Sequence, residues 1–378
     1  MIYVLCFTGI AYLVAMAALI YGFLRLPRFS SEKITPKTQF SLVIPFRNEA
    51  KNLPKLLESI QQLKYPSHLF EIIFVDDASE DTSVEIINEK LKFLKEFAKI
   101  TIITNERHSA SPKKDAITAA ITIASMEWII TTDADCELPK NWLVVFDGYI
   151  QKQKPLLVAG PVRYAANASF VAKFQKFDGL SLQAVTIGSF GLQTPLLCNG
   201  ANLAYKKEAF EAVNGFAENN HIASGDDIFM LEKMQQKFPK RVHFLKSEEA
   251  IVTTQPQQNW LAVINQRIRW ASKTSKQKSW ISKALGLLVF LTNLMMLLGA
   301  VYCVFQKWIL PFYVLFLLLK VFADFLVLKI SSRFFFTKIE VLPFLSSALI
   351  YPFITILVVL NSVKGSYNWK GRKFEKNT

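Results

Sequence analysis

Four long apolar stretches constrain this chain more than any other feature of its sequence. One runs from Ile2 to Leu24, and three more close the chain at roughly Ala284 to Phe305, Ile309 to Leu328 and Val341 to Val363. A helix of about 20 apolar residues crosses the hydrocarbon core of a bilayer. The sequence therefore predicts four transmembrane segments around a central region of ordinary polarity.

The first apolar stretch could be a retained helix or a cleaved signal peptide. A signal peptide carries basic residues before its apolar run, and Met1-Ile2-Tyr3 supplies none. The basic residues follow the run instead, at Arg25, Arg28, Lys33 and Lys37. This order favours a retained helix over residues 1–25, with the next domain in the cytosol. We expect a multi-pass protein of the cell membrane, in bacteria the inner membrane.

The C-terminal tail, residues 364–378, gives a conflicting indication. One span before the cytosolic domain and three after it place the tail outside, but its basic residues favour the cytosol. These residues are Lys364, Lys370, Arg372, Lys373 and Lys376. Either the tail is an exception, or one apolar stretch is re-entrant or interfacial.

Lys320 and Asp324 interrupt the third apolar stretch at a spacing of four. Residues so spaced share one face of a helix, and ionisable residues at membrane depth are usually paired. An internal ion pair is therefore favoured over a role near a lipid substrate.

The net charge of +14 has a source that does not involve nucleic acid. Basic residues beside membrane segments are attracted to anionic headgroups, and no nucleic-acid-binding motif accompanies the charge. The four cysteines have no metal-ligand spacing. Membrane association is expected, whereas a nucleic-acid partner and a disulfide framework are not.

Strand-like and helix-like segments alternate in the central region. The predicted strands are 40–46, 70–75, 99–104 and 128–132, and the predicted helices are 52–63, 81–97 and 113–125. Such alternation is typical of βαβ units, and it predicts an α/β fold with a mostly parallel sheet.

Polar residues follow three of these strands. Arg47 and Glu49 follow the first, Asp76 and Asp77 the second, and Asp133 and Asp135 the fourth. Ligands bind beyond the carboxyl ends of strands in such sheets. Asp133 and Asp135 fit either a divalent cation, Mg²⁺ or Mn²⁺, or an Asp-rich turn that caps a helix. Asp76 and Asp77 nearby favour the cation, because four uncompensated carboxylates would repel one another.

Two further clusters have both a functional and a plain structural interpretation. Lys113 and Lys114 open a helix and could bind phosphate with its free N–H groups, or they could be surface lysines. Asp226 and Asp227 could cap a helix, or one of them could act as a general base, with Gly225 leaving the loop free to close.

A third cluster, Gln266-Arg-Ile-Arg-Trp270, follows Trp260 in an amphipathic stretch. Composition alone favours an interfacial helix, with Trp and Arg at the level of the headgroups.

The ordered set of motifs resembles the family 2 glycosyltransferases of the GT-A fold. The set is Val43-Ile-Pro-Phe-Arg-Asn-Glu49, Val75-Asp-Asp-Ala-Ser79, Asp133-Ala-Asp135, Gly200-Ala-Asn202, Gly225-Asp-Asp227 and Gln266-x-x-Arg269-Trp270. Each motif alone is weak, but the order is specific and extends from about Phe40 to Trp270. The flanking apolar segments are similar to those of ceramide glucosyltransferase-like and chitooligosaccharide-synthase-like members.

The resemblance implies a role for each matched residue. Pro45, Arg47 and Glu49 would line the nucleotide pocket, and Asp77 would contact uracil or ribose. Asp133 and Asp135 would hold the sugar diphosphate and its metal. Apart from the resemblance, Lys114 at its helix N-terminus is predicted to bind the nucleotide-sugar as well.

The later motifs would act on the acceptor. Asp227 would be the catalytic base, beside Asp226 where the family more often has Glu. Gly200, Asn202, Gln266, Arg269 and Trp270 would serve the diphosphate and the acceptor.

The apolar stretches, the charge pattern and the resemblance together predict four domain segments. They are a transmembrane helix at 1–25, a cytosolic GT-A domain at 38–275 with an interfacial helix near 257–275, three transmembrane segments at 284–363, and a basic tail at 364–378. The implied enzyme is a metal-dependent, inverting hexosyltransferase that moves a sugar from a nucleotide-sugar, a UDP-sugar above all, to a membrane lipid. A processive polysaccharide synthase acting on a glycan, or a non-catalytic membrane binding module, are the alternatives.

Overall fold

The structure, a computed structural model, describes residues 1–30, 34–94, 98–274, 276–364, 366–369 and 372–375. Lys33, Phe97, Ser275, Lys370 and Lys376 lie outside the described residues, so the expectations that involve them are untested. The chain forms two compact units. The sheet unit comprises Pro27–Ala165 and Leu197–Gln255, and the helical unit comprises Met1–Leu26, Ala166–Leu196 and Pro256–Lys376.

The four predicted strands of the sheet unit begin at the predicted residues, and six further strands follow them among the described residues. Together they are β1 Phe40–Phe46, β2 Phe70–Asp76, β3 Lys99–Thr104, β4 Trp128–Thr131, β5 Cys136–Glu137, β6 Leu157–Ala159, β7 Val162–Tyr164, β8 Leu203–Lys206, β9 Val242–Phe244 and β10 Val252–Thr254. Seven of them form one sheet in the order β3-β2-β1-β4-β8-β6-β9. The four predicted strands, β1 to β4, pair in parallel. The prediction of a mostly parallel sheet is confirmed.

The other half of the sheet is mixed. Strand β8 lies antiparallel to both β4 and β6, and β6 is parallel to β9. A second, three-stranded sheet has the order β5-β10-β7. The insertion of β8 places the segment that precedes it, which contains Gly200, next to the end of β4.

The helices of the sheet unit cover the sheet with apolar faces. They are α2 Leu53–Gln61, α3 Ser83–Leu94, α4 Pro112–Ile123, α5 Trp142–Gln153, α7 Lys207–Ala212 and α8 Asp226–Lys237. In α2, Leu53, Leu56, Leu57 and Ile60 are buried at the spacing of one helix face. They belong to one core with β1 and with Trp142 of α5. Each such side chain contributes about 1.5–3 kcal/mol through burial.

The helical unit contains α1 Ile2–Arg25, α6 Phe170–Gly191, α9 Trp260–Thr274, α10 Trp280–Phe305, α11 Leu310–Phe334 and α12 Val341–Lys364. Within the described residues, four helical segments are long and apolar enough to cross a membrane: Ile2–Arg25, Trp280–Phe305, Lys307–Phe334 and Val341–Ser362. The four apolar stretches are therefore helices, as predicted. In the tail, β11 Ser366–Trp369 pairs antiparallel with β12 Arg372–Glu375.

The division into units differs from the predicted continuous domain at 38–275. Helices α6 and α9 group with the four apolar helices and not with the sheet. Glycines let α6 approach α1 closely: a Cβ at Gly188 would lie 2.5 Å from Leu19 O, and one at Gly191 would lie 1.8 Å from Gly22 O. Small residues at such crossings allow two backbones to touch.

The predicted pair in α11 is present. Lys320 Nζ lies 2.7 Å from Asp324 Oδ2, and the Tyr12 hydroxyl of α1 donates to Asp324 Oδ1 at 2.5 Å. The Lys320 side chain is 3% exposed. Pairing allows these two charges to be buried among apolar helices.

Candidate active site

The loops after β1 and β2 are linked to each other by hydrogen bonds. The Arg47 guanidinium donates to the carbonyl oxygens of Asp77 and Ala78, and it forms an ion pair with Glu80 at 2.8 Å. Asn48 and Ala78 both have positive φ, 51° and 58°. Non-glycine residues in this region carry strain that surrounding contacts must hold, and they concentrate at functional sites. Arg47 therefore shapes the second loop as well as facing the sheet edge.

Asp77 is buried against the loop that follows β3. Its Oδ1 accepts hydrogen bonds from Asn105 Nδ2 at 2.9 Å and from Arg107 Nε at 2.8 Å. Arg107 NH2 also donates to the Asp77 carbonyl oxygen at 3.2 Å. These contacts fix the carboxylate at the end of β2. Arg107 was not among the predicted site residues, because nothing in its local sequence distinguishes it from a surface arginine.

Pro45 and Glu49 lie on either side of Arg47. Pro45 stands opposite Val75 in the ladder of β1 and β2. Glu49 is 9% exposed, its backbone N–H donates to Ser83 Oγ at 2.8 Å, and its Oε2 accepts from Asn52 Nδ2 at 2.6 Å. Glu49 thereby ties the end of β1 to the start of α3.

Lys113 connects the two acidic motifs. Its Nζ lies 2.7 Å from Asp133 Oδ1, in the loop after β4, and 3.2 Å from Asp226 Oδ2, at the start of α8. Burial acts to lower the pKa of this ammonium, but Asp133 and Asp226 outweigh burial and raise its pKa above the usual value for lysine. Asp133 and Asp226, 93 positions apart in the sequence, are thus joined through one cation.

Lys114 has a different environment from its neighbour. It is 1% exposed, and its Nζ donates to the carbonyl oxygens of Asn219 at 2.6 Å and Ile222 at 2.9 Å. It also lies 4.9 Å from the centre of the Phe229 ring. Lys114 therefore supports the loop that leads to Asp226, and neither lysine is a plain surface residue.

Gly200 faces the acidic pair. A Cβ at this position would lie 2.8 Å from Asp226 Oδ2, 3.3 Å from Lys113 Nζ and 3.7 Å from Asp227 Cβ. The Thr131 hydroxyl, at the end of β4, donates to the Gly200 carbonyl oxygen at 2.6 Å. The absence of a side chain at Gly200 is what admits the carboxylate here. Gly225, with φ of 89°, makes the sharp turn into α8.

Asn202 holds the same segment from the inside. It is fully buried, and its Nδ2 donates to the carbonyl oxygens of Pro161 and Ala250, each at 2.8 Å. Its Oδ1 accepts from Trp142 Nε1 at 3.0 Å. The side chain predicted to serve the diphosphate or acceptor is instead occupied by protein groups. Asn202 therefore positions the Gly200 segment.

Asp133 and Asp135, in the loop that follows β4, both have carboxylate oxygens, which are the type of ligand that Mg²⁺ prefers. The side chain of Asp133 is 37% exposed. Among the described residues, no group of three or more His, Cys, Asp or Glu side chains is arranged to hold a metal ion. An ion bound by two carboxylates takes its other ligands from water or substrate phosphates, which is usual for Mg²⁺.

Cys136 adjoins these aspartates but is not a candidate ligand. It is 1% exposed. Burial, together with the charges of Asp135 and Asp133, raises the pKa of its thiol well above the usual value. Because only a thiolate is a good metal ligand or nucleophile, Cys136 is a core residue.

The last motif belongs to the helical unit. Gln266, Arg269 and Trp270 lie on α9, as the amphipathic pattern predicts. Arg267, between them, lies with its guanidinium carbon 4.2 Å from the centre of the Trp270 ring, and it donates to Gln266 Oε1 at 2.6 Å. Arg267 was not among the predicted site residues.

Two protein-family models match the chain, and both describe glycosyltransferases. Residues 41–213 match the model described as Glycosyl transferase family 2. Residues 128–359, more than half of the chain, match Glycosyl transferase family group 2. The chain belongs to the family 2 glycosyltransferases.

Curated relatives agree with this assignment. The beta-monoglucosyldiacylglycerol synthase of a Nostoc species is 26% identical over 255 residues, which cover 65% of this chain and 51% of that protein. The undecaprenyl-phosphate 4-deoxy-4-formamido-L-arabinose transferase of Proteus mirabilis is 36% identical over 100 residues, 26% of this chain and 29% of that protein. The chain spans about half the length of the curated relatives it matches first.

A solved structure shares the fold. It is the mannosyltransferase PcManGT from Pyrobaculum calidifontis in complex with GDP-Man and Mn²⁺, with a TM-score of 0.60 and 18% identity. The match covers 95% of this chain and 99% of that one. At this identity the likeness concerns the fold, and it confirms the expected GT-A class.

Proposed function

We propose that this protein is an inverting glycosyltransferase that moves a hexose from a nucleotide-sugar, a UDP-sugar, to a lipid acceptor in the membrane. The observation that carries the proposal is the cluster of Asp133, Lys113, Asp226 and Gly200, in which one cation joins both acidic motifs. A helix-capping turn needs no such partner. An enzyme that stabilises a diphosphate beside a general base needs both motifs in one place.

The nucleotide is proposed to bind at the loops after β1 and β2. Pro45, Arg47 and Glu49 shape this region, and the buried Asp77 is held by Asn105 and Arg107 for a contact with uracil or ribose. Carboxylates recognise ribose hydroxyls and the N–H groups of bases as hydrogen-bond acceptors.

Asp133 and Asp135 fit a divalent cation, Mg²⁺ or Mn²⁺. Both supply hard carboxylate oxygens, and the partly exposed Asp133 leaves room for a substrate's phosphates. The bound ion would supply neutralisation of the diphosphate leaving group. Lys113 already lies 2.7 Å from Asp133, so its ammonium is proposed to assist there. It takes the donor-ligand role first expected of Lys114.

Asp227 is proposed as the general base. It would take the proton from an acceptor hydroxyl as that oxygen bonds to the anomeric carbon. The bond from this carbon to the diphosphate breaks, the electron pair leaves with the nucleotide diphosphate, and a single displacement inverts the configuration. Asp226, 3.2 Å from Lys113, is proposed to keep that cation in place. Asp227 and Asp226 both lie in the first turn of α8.

A lipid acceptor is supported by the helices and by the relatives. Four segments are long and apolar enough to cross a membrane. The names of the matched Nostoc and Proteus proteins denote transfer to diacylglycerol and to undecaprenyl phosphate, respectively. We propose that Gln266, Arg269 and Trp270 serve the diphosphate and the acceptor. The basic residues after α1 support a cytosolic sheet unit in a multi-pass protein.

The deciding experiment uses membranes that contain the protein, incubated with a panel of labelled nucleotide-sugars and then partitioned. We expect label from one donor in the organic phase. NMR should show that the sugar in this product has the anomeric configuration opposite to that in the donor. Label in an insoluble or high-mass fraction would identify a polysaccharide synthase instead. Membranes that contain the Asp133→Asn protein are the control, and a panel with no incorporation at all would contradict catalysis and favour a binding module.

A further inference from the structure

The α6 helix supports the segment that precedes and includes Gln266-x-x-Arg269-Trp270. The Phe170 and Phe174 rings lie 6.1 Å and 5.1 Å from the Trp260 ring, centre to centre. One residue further, Gln175 donates to Gln257 O at 2.9 Å and accepts from Gln257 N at 2.8 Å. The start of α9 is therefore held by an aromatic contact and by a two-way hydrogen bond.

Asp178 continues the same face of α6, because Phe170, Phe174 and Asp178 follow one another at intervals of four. Arg267 Nε donates to Asp178 Oδ2 at 2.6 Å, and NH2 lies 2.5 Å from the same oxygen. The two residues are 9% and 7% exposed. A buried charge is costly unless it is paired, so each of these side chains depends on the other.

Arg267 connects this ion pair to two motif residues at once. While its Nε and NH2 face Asp178, its NH1 donates to Gln266 Oε1 at 2.6 Å. The flat face of its guanidinium lies over Trp270, with 4.2 Å from the guanidinium carbon to the ring centre. Only a planar, multiply donating cation can make these contacts together. A lysine would keep the charge and lose the geometry.

We propose that Asp178 and Arg267 are positioning residues that fix the side chains of Gln266 and Trp270 for the reaction. This inference rests on the proposed transferase function, in which Gln266 and Trp270 serve the diphosphate and the acceptor. Neither Asp178 nor Arg267 is required to touch substrate. Their effect is to hold one orientation of the motif before the acceptor arrives.

The test compares four variants in the full-length protein: Arg267→Lys, Asp178→Asn, the double variant Asp178→Asn with Arg267→Gln, and a control. The control is Lys173→Gln with Glu340→Gln, which removes an ion pair of 2.6 Å that also involves α6. The readouts are Tm, amide hydrogen exchange over residues 260–274, and the kcat and KM for the acceptor.

We expect R267K and the neutral double variant to keep a Tm close to that of the wild type, because neither leaves an unpaired buried charge. Exchange over 266–270 should rise in both, and acceptor turnover should fall by about 10- to 100-fold, the effect of misplacing a reacting group by about 1 Å. The control should match the wild type in every readout.

Wild-type exchange and turnover in R267K and in the double variant would overturn the positioning role. So would full recovery of turnover in the double variant beside a defective Asp178→Asn protein, since charge compensation alone would then explain the pair. Hydrogen exchange needs no substrate. It therefore decides the positioning role even if no donor in the panel is used, an outcome that contradicts the proposed function instead.

Discussion

Lys113 and Asp133 form the ion pair on which the candidate active site is built, with 2.7 Å between Nζ and Oδ1. The lysine begins a helix and the aspartate follows a strand, and the same ammonium reaches Asp226 at 3.2 Å. The arrangement places one ammonium between two carboxylates. Such a cation can exchange its protein partners for the oxygens of a diphosphate when a donor binds.

Substitutions of the two adjacent lysines should affect activity and stability to different degrees. We expect Lys113→Met to lower kcat/KM by about 10²–10³, the usual effect of removing one electrostatic group from a transition state. Because the substitution leaves Asp133 and Asp226 without this cation, Tm should also fall, but less than in Lys114→Met, since Asp133 is partly exposed. Lys114→Met should instead destabilise the protein by about 3 kcal/mol, because two carbonyl oxygens lose a charged donor. Enzyme assays and thermal unfolding of both variants check this. A fully active Lys113→Met protein would contradict the assignment.

Asn202→Ala tests whether the buried amide is structural. The substitution removes the Asn202 hydrogen bonds to Pro161 O, Ala250 O and Trp142 Nε1. We expect the free energy of unfolding to fall by about 2–4 kcal/mol. Asn199→Ala, which removes the local hydrogen bond from Ala201 N to Asn199 Oδ1, is the milder comparison. It should lower the free energy of unfolding by about 1 kcal/mol. Thermal unfolding measures both. Equal Tm values for Asn202→Ala and wild type would refute the positioning role.

The pair in α11 predicts strong coupling between two substitutions. Lys320→Met alone leaves Asp324 charged among apolar helices and should destabilise the protein by about 3–5 kcal/mol. Adding Asp324→Leu removes the uncompensated charge, so the double variant should recover most of this loss. A double-mutant cycle in detergent or nanodiscs gives the coupling. Additive effects would mean that the two charges act independently.

Lys246 should make stability depend on pH. Burial, with a smaller effect of Arg28, lowers the pKa of Lys246 to about 8 from 10.5. The folded protein therefore disfavours the charged form, and this destabilisation is complete below about pH 8 and fades as the pH rises towards 10.5. We expect Lys246→Met to gain Tm relative to wild type at pH 7, and the gain to shrink by pH 10.

The exposed Lys240→Met variant is the control for this titration. Its Tm difference from wild type should stay constant over the same range. A pH-independent difference for Lys246→Met would show that the buried ammonium does not titrate as described.

The first four strands could be predicted because each is a short apolar run followed by polar residues. Strand β8 could not, since its place between β4 and β6 depends on pairing across about 75 residues of chain. Helix α6 was missed for a related reason. Its charged and polar residues hide its apolar faces, and its position against α1 depends on glycines that matter only at the crossing.

The motifs predicted candidate site residues, but they did not predict the contacts between those residues. The motifs predict that Asp133 and Asp227 act in one site. Lys114 was also predicted, whereas it is the neighbouring Lys113 that contacts Asp133 in the structure. One helical position separates the two lysines, and only the turn of α4 decides which faces the edge. Arg107 and Arg267 could not be predicted as site residues, because the carboxylates they pair with are distant in sequence.

The central claim is that Asp227 is the base of a glycosyl transfer at this edge. Its most direct test measures donor binding and turnover in Asp227→Asn beside the wild type. For Asp227→Asn, we expect an unchanged Kd for the donor nucleotide. We expect its kcat to be lowered by about 10²–10⁴, the usual contribution of a general base. Turnover by Asp227→Asn near the wild-type rate would contradict it.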